Sequence, residues 1–561
     1  MVIFVRSFGA KGQAQMAESV DALVSNTNRL TPVPVRPRLW VQKGEAVASP
    51  FFVARNSPTR RGNGGRIFVL HAFFVTLHQI NTRQAKTKTK YLHAMFAKQT
   101  YIERRNELRR RMPKGGIVVL PGNSEAPRNY FDNAYAFRQD STFLYFFGLQ
   151  NADLVGVIDL DNEQDWLFGN DYTVDDIIWM GPQPSVSELG ASVGVANTAP
   201  FAAARDHIQA AIRSGRKVHY LVPYRGEGVL LMSQLTGIKT SEHYAHCSAD
   251  LIINVAAMRE EKSAEEIEEL ERAFQIGYDM HTTAMRLTRE GVSERVIAGA
   301  MEGVTHQYGE GVSFHSIVSQ HGETLHNHSH DGICTNGRLL LVDAGGESVN
   351  NYCSDHTRTF PVSGKFTPEQ RDIYNIVLAA HDEVLKVAKP GQYMNLHNVA
   401  LKSLAEGLIG VGLMKGNAEE AVAAGAVGLF MPHGLGHGLG MDVHDCEAMG
   451  ERGMRDFSKI VARAEEVDTC IMRSRWRLRP GTVLTDEPGI YFIPALIEQW
   501  KGEGKCKEFI NYDKLGRFYE FGGIRLEDDL LITEDGNKML GEGKHIPITV
   551  EEVEAYMAAH R

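Results

Sequence analysis

The stretch MPHGLGHGLGMDVHD, Met431 to Asp445, holds three histidines (His433, His437, His444) and two aspartates within fifteen residues. Glycines separate them, and lacking a Cβ they let backbone and side chains share one small volume. Imidazoles at this density suit a metal centre or an acid/base site, and their partners decide between the two. Four carboxylates answer. Asp343 ends the apolar run LLLVD, and Asp355 follows twelve residues later in YCSDHTRTFPV, on the second strand of an expected hairpin. Glu487 lies in LTDEPGIY and Glu527 in GIRLEDDLLIT, each in or beside a β-type apolar run. A carboxylate buried without a partner costs several kcal/mol, so acids in such surroundings call for a cation or for hydrogen-bond donors.

The charges balance in the same sense. Two divalent cations would neutralise Asp343, Asp355, Glu487 and Glu527, with His437 as a neutral fifth ligand. Oxygen-rich ligation with one imidazole and no thiolate favours manganese over a structural zinc. A metal pair about 3.5–4 Å apart generates a hydroxide nucleophile and clamps a tetrahedral intermediate. Metal-assisted hydrolysis is the chemistry expected.

The elements that must position these residues divide the 561-residue chain into three parts. Residues 1–94 carry fourteen Lys and Arg against three acids (Glu18, Asp21, Glu45) and show no sustained periodicity. They are expected to be a disordered leader without function, an upstream extension or mis-called start; basic and acid-poor, they match a transit peptide in charge better than in amphipathicity. The apolar stretch Ile67 to His78 is too short to span a bilayer. Residues 95–255 read as an amino-terminal α/β domain. TYIERRNELRRRM gives a charged helix, GIVVLPG, LVGVIDL, DWLFG and VHYLVP give strands, and the aromatics of Asn133 to Leu149 are expected to line its core.

Residues 256–550 read as the catalytic domain. Ser263 and Glu266 form a capping box before an apolar stripe at Ile267, Leu270 and Phe274, and that helix is expected to end at Glu290 and Gly291, with a second starting near Ser293. The pattern recurs at FTPEQRDIYNIVLAAHDEVLKVAKPG, where Thr367 and Gln370 form a second box, Pro368 takes the first helical position, and Pro390 with Gly391 stops the helix. Each helix pair precedes acid-bearing strands, which points to a duplicated αβ unit with the metal site between its halves. The alternation puts Val483, Thr485 and Glu487 on one strand face, and Arg525 on the same face as Glu527.

LLLVDAG, SDHTRTFPVSGKFTPEQ, HGLGHGLGMDVHD, TDEPGIY and GIRLEDD occur in the order found in the pita-bread metallopeptidases, and Met95 to about Val550 resembles their aminopeptidase P and prolidase branch. FRQDSTFLYFFG is similar to the hallmark of the amino-terminal domain shared by those two enzymes. The resemblance implies an α/β (α+β) protein whose pita-bread catalytic domain follows an amino-terminal α/β domain. It also implies five metal ligands: Asp343 on one ion, Asp355 and Glu527 bridging both, His437 and Glu487 completing the other. A metal-bridging hydroxide would attack the scissile carbonyl while Glu487 shuttles the proton. His326 matches a substrate-binding histidine and His433 a further one, His444 would polarise the carbonyl, and Arg525 would orient Glu527. The implied reaction is release of the N-terminal residue from peptides whose second residue is proline. Such a bond is a tertiary amide with no N–H, which ordinary peptidases cannot grip through that hydrogen.

Two departures from the family pattern stand out. The Asp343 to Asp355 interval is one residue longer than in common members, which calls for a bulge or a longer hairpin turn, and residues 446–479 and 494–520 are longer than in compact members. Asp445, Asp528 and Asp529 are read as solvent or hydrogen-bonding acids, His328 and His330 as loop residues, and His321 has no assigned role. The rival reading within enzymes is prolidase, which takes only dipeptides; a methionine aminopeptidase lacks the amino-terminal domain. A noncatalytic binding module, or a metal-free hydrolase of a guanidino compound, fits poorly with five intact ligand positions.

The net charge of −9 gives no global pull toward nucleic acid or an anionic membrane. Six cysteines without a CxxC pair read as reduced thiols and a cytoplasmic location, Cys353 among them as a small buried hydrophobe. Peptide substrates are the expected partners, and relatives of this kind are homo-oligomers.

Overall fold

The computed structural model describes residues 41–42, 45–46, 96–130, 132–392, 396–449 and 478–560. The chain divides into two compact units, Met1–Thr82 and Arg83–Arg561. In the first, Val41–Gln42 pairs antiparallel with Glu45–Ala46; the rest of the expected leader, and residues 450–477 of the longer insertion, lie outside the described residues.

The second unit opens with the expected α/β domain. Its five-stranded sheet runs Asn197–Ala199, Asp165–Phe168, Val155–Asp159, Gly116–Pro121, Lys217–His219, with parallel pairs at both edges and antiparallel pairs in the middle. Alternation along the strands serves two cores. Ile117, Val119, Val155 and Val157 pack on the helices Ala203–Arg213 and Gly226–Thr236, while Val118, Leu120 and Ile158 meet the helices Lys98–Arg111, Ser141–Phe147 and Ala249–Glu260. Ser141–Phe147 is buried along its whole length, as the aromatic run predicts, but Tyr135 just before it is exposed. The helix Ala249–Glu260 runs across residue 255.

The catalytic half repeats one plan. Ala264–Leu287, with its Ser263/Glu266 capping box, pairs with Glu294–Tyr308. It ends at Leu287, three residues before Glu290. The strands Ile317–Ser319, Leu339–Ala344 and His356–Pro361 follow as an antiparallel sheet. Pro368–Val387, with the Thr367/Gln370 box, then pairs with Leu396–Gly410. Val483–Asp486, Asp528–Ile532 and Asn537–Met539 form one antiparallel sheet and Gly489–Tyr491 with Gly523–Arg525 another. The two halves join where Thr357 pairs with Glu527, and the glycine-rich loop joins the second half where Gly438 pairs with Leu484.

The longer Asp343–Asp355 interval is absorbed by a longer hairpin turn. Gly346–Glu347 leaves to pair with Gly311–Val312, and the chain returns through Asn351, which takes a left-handed φ of 59°. The amino-terminal domain grips this turn and the glycine-rich loop together. Arg138 donates to the Glu347 carboxylate at 2.9 Å and to the Met441 carbonyl at 2.8 Å, and Ser141 Oγ donates to Asp442 at 2.6 Å. Among the described residues no helix is long and apolar enough to cross a membrane.

Candidate active site

Asp343 closes the strand Leu339–Ala344, directly across from Thr357, and Asp355 immediately precedes the partner strand. Glu487 follows Val483–Asp486, and its backbone N–H donates to Leu435 at 2.9 Å. Glu527 sits between Gly523–Arg525 and Asp528–Ile532, exchanging backbone hydrogen bonds with Thr357. The loop that brings His437 is sewn to the second half: His437 N–H donates to Thr485 Oγ1 at 3.1 Å and the Thr485 N–H donates to the His437 carbonyl at 2.9 Å. Its glycines are there for clearance. A Cβ on Gly436 would lie 2.0 Å from the Thr485 carbonyl oxygen, and one on Gly440 2.6 Å from Asp445.

These side chains converge. His437 Nε2 lies 3.3 Å from Asp355 Oδ2 and 3.7 Å from Glu487 Oε1, and ligand atoms of Asp355, His437 and Glu527 fall within 4.8 Å of one another. The other nitrogen, Nδ1, is 3.1 Å from the Gly438 carbonyl. Donating there fixes the tautomer that presents the Nε2 lone pair to the carboxylates. His433 lies beyond, its Nε2 2.8 Å from the Tyr491 hydroxyl and its Nδ1 3.7 Å from Glu487 Oε2. The His444 ring centroid is 4.0 Å from that of His437, with Nδ1 3.0 Å from Glu447. His326 stands exposed on the rim. All nine positions singled out in the sequence line, or sit in the wall of, one cavity of about 490 Å³ that also takes in Phe314, His315 and Ile317.

Burial sets the electrostatics. Desolvation raises the carboxyl groups of Asp355 and Glu527 well above the usual range, and the neighbouring carboxylates push in the same direction. Desolvation also raises Glu487 to about 7, against the opposing pull of His437 and Arg525. Asp343 Oδ1 and Asp355 Oδ1 are buried with no hydrogen-bond partner. Acceptors orphaned in this way, like charges forced together, and one correctly presented imidazole are the donor set of a hard or borderline divalent cation. The residues present fit the two metal ions. Arg525 would enter the charge balance too: were two divalent cations held by the four carboxylates, its charge would leave one net positive charge, which would suit an anionic nucleophile or a developing oxyanion.

Several expectations need correction. Arg525 does lie beside Glu527, but its Nε is 3.9 Å away, whereas its Nη2 pairs with Asp343 and its Nη1 donates to the Tyr491 hydroxyl at 3.0 Å. Glu527 is oriented instead by Thr357, whose hydroxyl donates to Oε2 at 2.6 Å. The three neighbouring acids are buried. Asp445 is paired with Arg259 and Lys262, and Asp528 with Arg358 and His381. Asp529 accepts the Asp355 N–H at 3.2 Å, so it holds the backbone of a ligand residue. His328 lines the cavity, and His315, to which no role was given, stands beside it. Tyr491 and Thr357 were also missed. Tyr491 shares the motif DEPGIY with Glu487, and Thr357 lies two residues after Asp355, so same-face spacing on a strand could have found both.

Residues 268–534 match the model of metallopeptidase family M24, and residues 101–220 that of the aminopeptidase P N-terminal domain. Human Xaa-Pro dipeptidase is 32% identical over 462 residues, which covers 79% of this chain and 89% of the relative. The chain belongs to metallopeptidase family M24. As an M24 peptidase it is a hydrolase, and its catalytic half has the pita-bread fold. Escherichia coli Xaa-Pro aminopeptidase is 30% identical over 480 residues, covering 83% of this chain and 99% of the relative. Two solved structures agree in shape. Pseudomonas aeruginosa aminopeptidase PepP superposes with a TM-score of 0.68 at 28% identity, and zinc-substituted E. coli aminopeptidase P in complex with product with 0.67 at 29%; each covers 83% of this chain and 99% of its own.

Proposed function

We propose that this M24 peptidase is an Xaa-Pro aminopeptidase, removing the first residue from peptides whose second residue is proline. The observation that carries the reading is the convergence of Asp343, Asp355, His437, Glu487 and Glu527 on one cavity that His326, His433 and His444 also line. Two divalent cations, manganese in this reading, would be held by those five residues and would supply Lewis acidity, lowering the pKa of water and polarising the scissile carbonyl.

The protein's own groups do the rest. Glu487, its carboxyl raised to about 7 by burial, would when ionised take a proton from the attacking water and then hand it to the departing prolyl nitrogen. His444 is held through Nδ1 by Glu447 and in its protonated form would donate Nε2–H to a substrate carbonyl. His433, braced by Tyr491, and His326 across the rim align the peptide. Ile317, Phe314 and Leu325 provide apolar wall for a proline ring, which has no N–H for the site to satisfy.

A second reading is Xaa-Pro dipeptidase, favoured by the 32% identity to the human enzyme of that name. The aminopeptidase reading draws support from length, since alignment to the E. coli aminopeptidase takes in 99% of that relative and alignment to the human dipeptidase 89%. Offering a tripeptide and a dipeptide side by side separates the two. The five described cysteines are free thiols, which supports work in a reducing cytoplasm.

A further inference from the structure

Outside the five-residue metal wall, a second set of histidines stands at the mouth of the cavity. His315 follows the short strand Gly311–Val312, and His328 and His330 lie in the loop after Ile317–Ser319. None of the three has a part in the reaction as proposed above. We propose that His315, His328 and His330 form a third metal site, taking a borderline transition ion such as zinc.

Geometry carries this. The His315 ring centroid is 4.5 Å from that of His328 and 6.0 Å from that of His330. An imidazole bound at about 2.0–2.1 Å puts its centroid about 3.2 Å from the ion, so three rings in tetrahedral array stand about 5 Å apart. The observed separations bracket that value. Residues 328 and 330 have the H-x-H spacing that places two rings on the same side of an extended segment, and His315 approaches from another segment. His315 and His328 are exposed, so the rings have room to turn toward one ion.

The second nitrogens are arranged as in known ligating histidines. His330 Nε2 lies 3.0 Å from the Ser316 carbonyl, so donating there leaves Nδ1 for an ion. One ring nitrogen of His328 is likewise hydrogen-bonded to the backbone of His315. Desolvation and the neighbouring imidazoles hold His328 below the ordinary histidine range, and a ring that stays neutral is a ring ready to ligate. Three imidazoles and no carboxylate select zinc, copper or nickel over manganese, the opposite preference to the five-residue wall. The two sites therefore take different ions. A zinc ion here would stand at the cavity mouth and narrow it, since His315 and His328 both line the cavity.

The test is equilibrium dialysis of the manganese-loaded full chain against micromolar zinc, with manganese and zinc counted together by elemental analysis. Counting the sum keeps exchange at the catalytic centre from altering the result. The wild-type chain is expected to hold three ions, and His330→Asn, which leaves the cavity lining untouched, two. His315→Asn and His328→Asn should match it, and the two ions each variant retains show that it is folded. X-ray absorption at the zinc edge should show imidazole scattering from the third ion in the wild type alone. A wild-type total that saturates at two, or a total of three in all the variants, overturns the proposal.

Discussion

Arg525, on a strand of the second half, pairs with Asp343, on a strand of the first. One guanidinium thus ties the two halves together at the point where the metal wall is assembled. Its remaining nitrogens reach Thr357 at 3.0 Å and the Tyr491 hydroxyl at 3.0 Å, and Tyr491 in turn holds His433. Lysine can keep the charge but not this fork. Arg525→Lys is expected to lower kcat/KM by roughly 10- to 100-fold and to weaken metal binding, as removal of the partners that orient ligands does elsewhere. Manganese titration and steady-state kinetics check this together; a Lys variant within twofold of wild type in both would show that the fork is dispensable.

His437 is the single imidazole in the wall, with its tautomer set by the Gly438 carbonyl. His437→Ala is expected to drop the tightly held metal from two ions per chain to one and to abolish turnover. Elemental analysis after gel filtration reads the first and peptide hydrolysis the second. Full activity in this variant would refute the assignment of the site.

Metal removal should make stability depend on pH in a definite direction. Burial and the neighbouring carboxylate of Asp355, opposed by His437 and Arg525, keep Glu487 protonated to about 7 in the folded chain, whereas an unfolded glutamate ionises near about 4.3. Between those values the folded, metal-free protein binds more protons than the unfolded one. Its stability is therefore fullest below the unfolded value and is lost as pH rises through the folded one. Asp355 and Glu527, raised for the same reason, act in the same sense. The chelator-stripped protein should melt at lower temperature at about pH 8 than at about pH 5, and the manganese-loaded protein should not. Parallel melting curves for the two forms would count against a metal site at these carboxylates.

Arg138 is the amino-terminal domain's hold on the catalytic half, through Glu347 and the Met441 carbonyl. Arg138→Gln leaves Glu347 buried without its cation, and the loss should be of the order of 2–3 kcal/mol, because the arginine is partly exposed. Glu347→Gln in the same chain should restore part of it. Denaturant unfolding of the single and double variants checks both; equal loss in each would place the cost elsewhere.

The spacing of the sequence carried a good deal of this. Both capping boxes, the paired helices, the strand bearing Asp343 and the strands that start or end beside Asp355, Glu487 and Glu527 follow from local periodicity and from acids set in apolar runs, although those three acids fall just outside the strands. What spacing could not carry is contact between distant segments. Arg525 lies two residues from Glu527 but finds Asp343, 182 positions away. Asp445 and Asp528 read as either solvent or hydrogen-bonding acids, and Arg259 and Arg358, arriving from other elements, decide for the second. The histidines at the mouth read as a polar loop because His315 reaches His328 only once the strand Ile317–Ser319 has turned the chain back.

The central claim is tested most directly by offering the manganese-loaded protein an Xaa-Pro-Yaa tripeptide and an Xaa-Pro dipeptide side by side and measuring the free amino acid released from each. Release of the first residue from the tripeptide is the result expected of an Xaa-Pro aminopeptidase. Cleavage of the dipeptide alone would contradict it in favour of a dipeptidase, and cleavage of neither would contradict both.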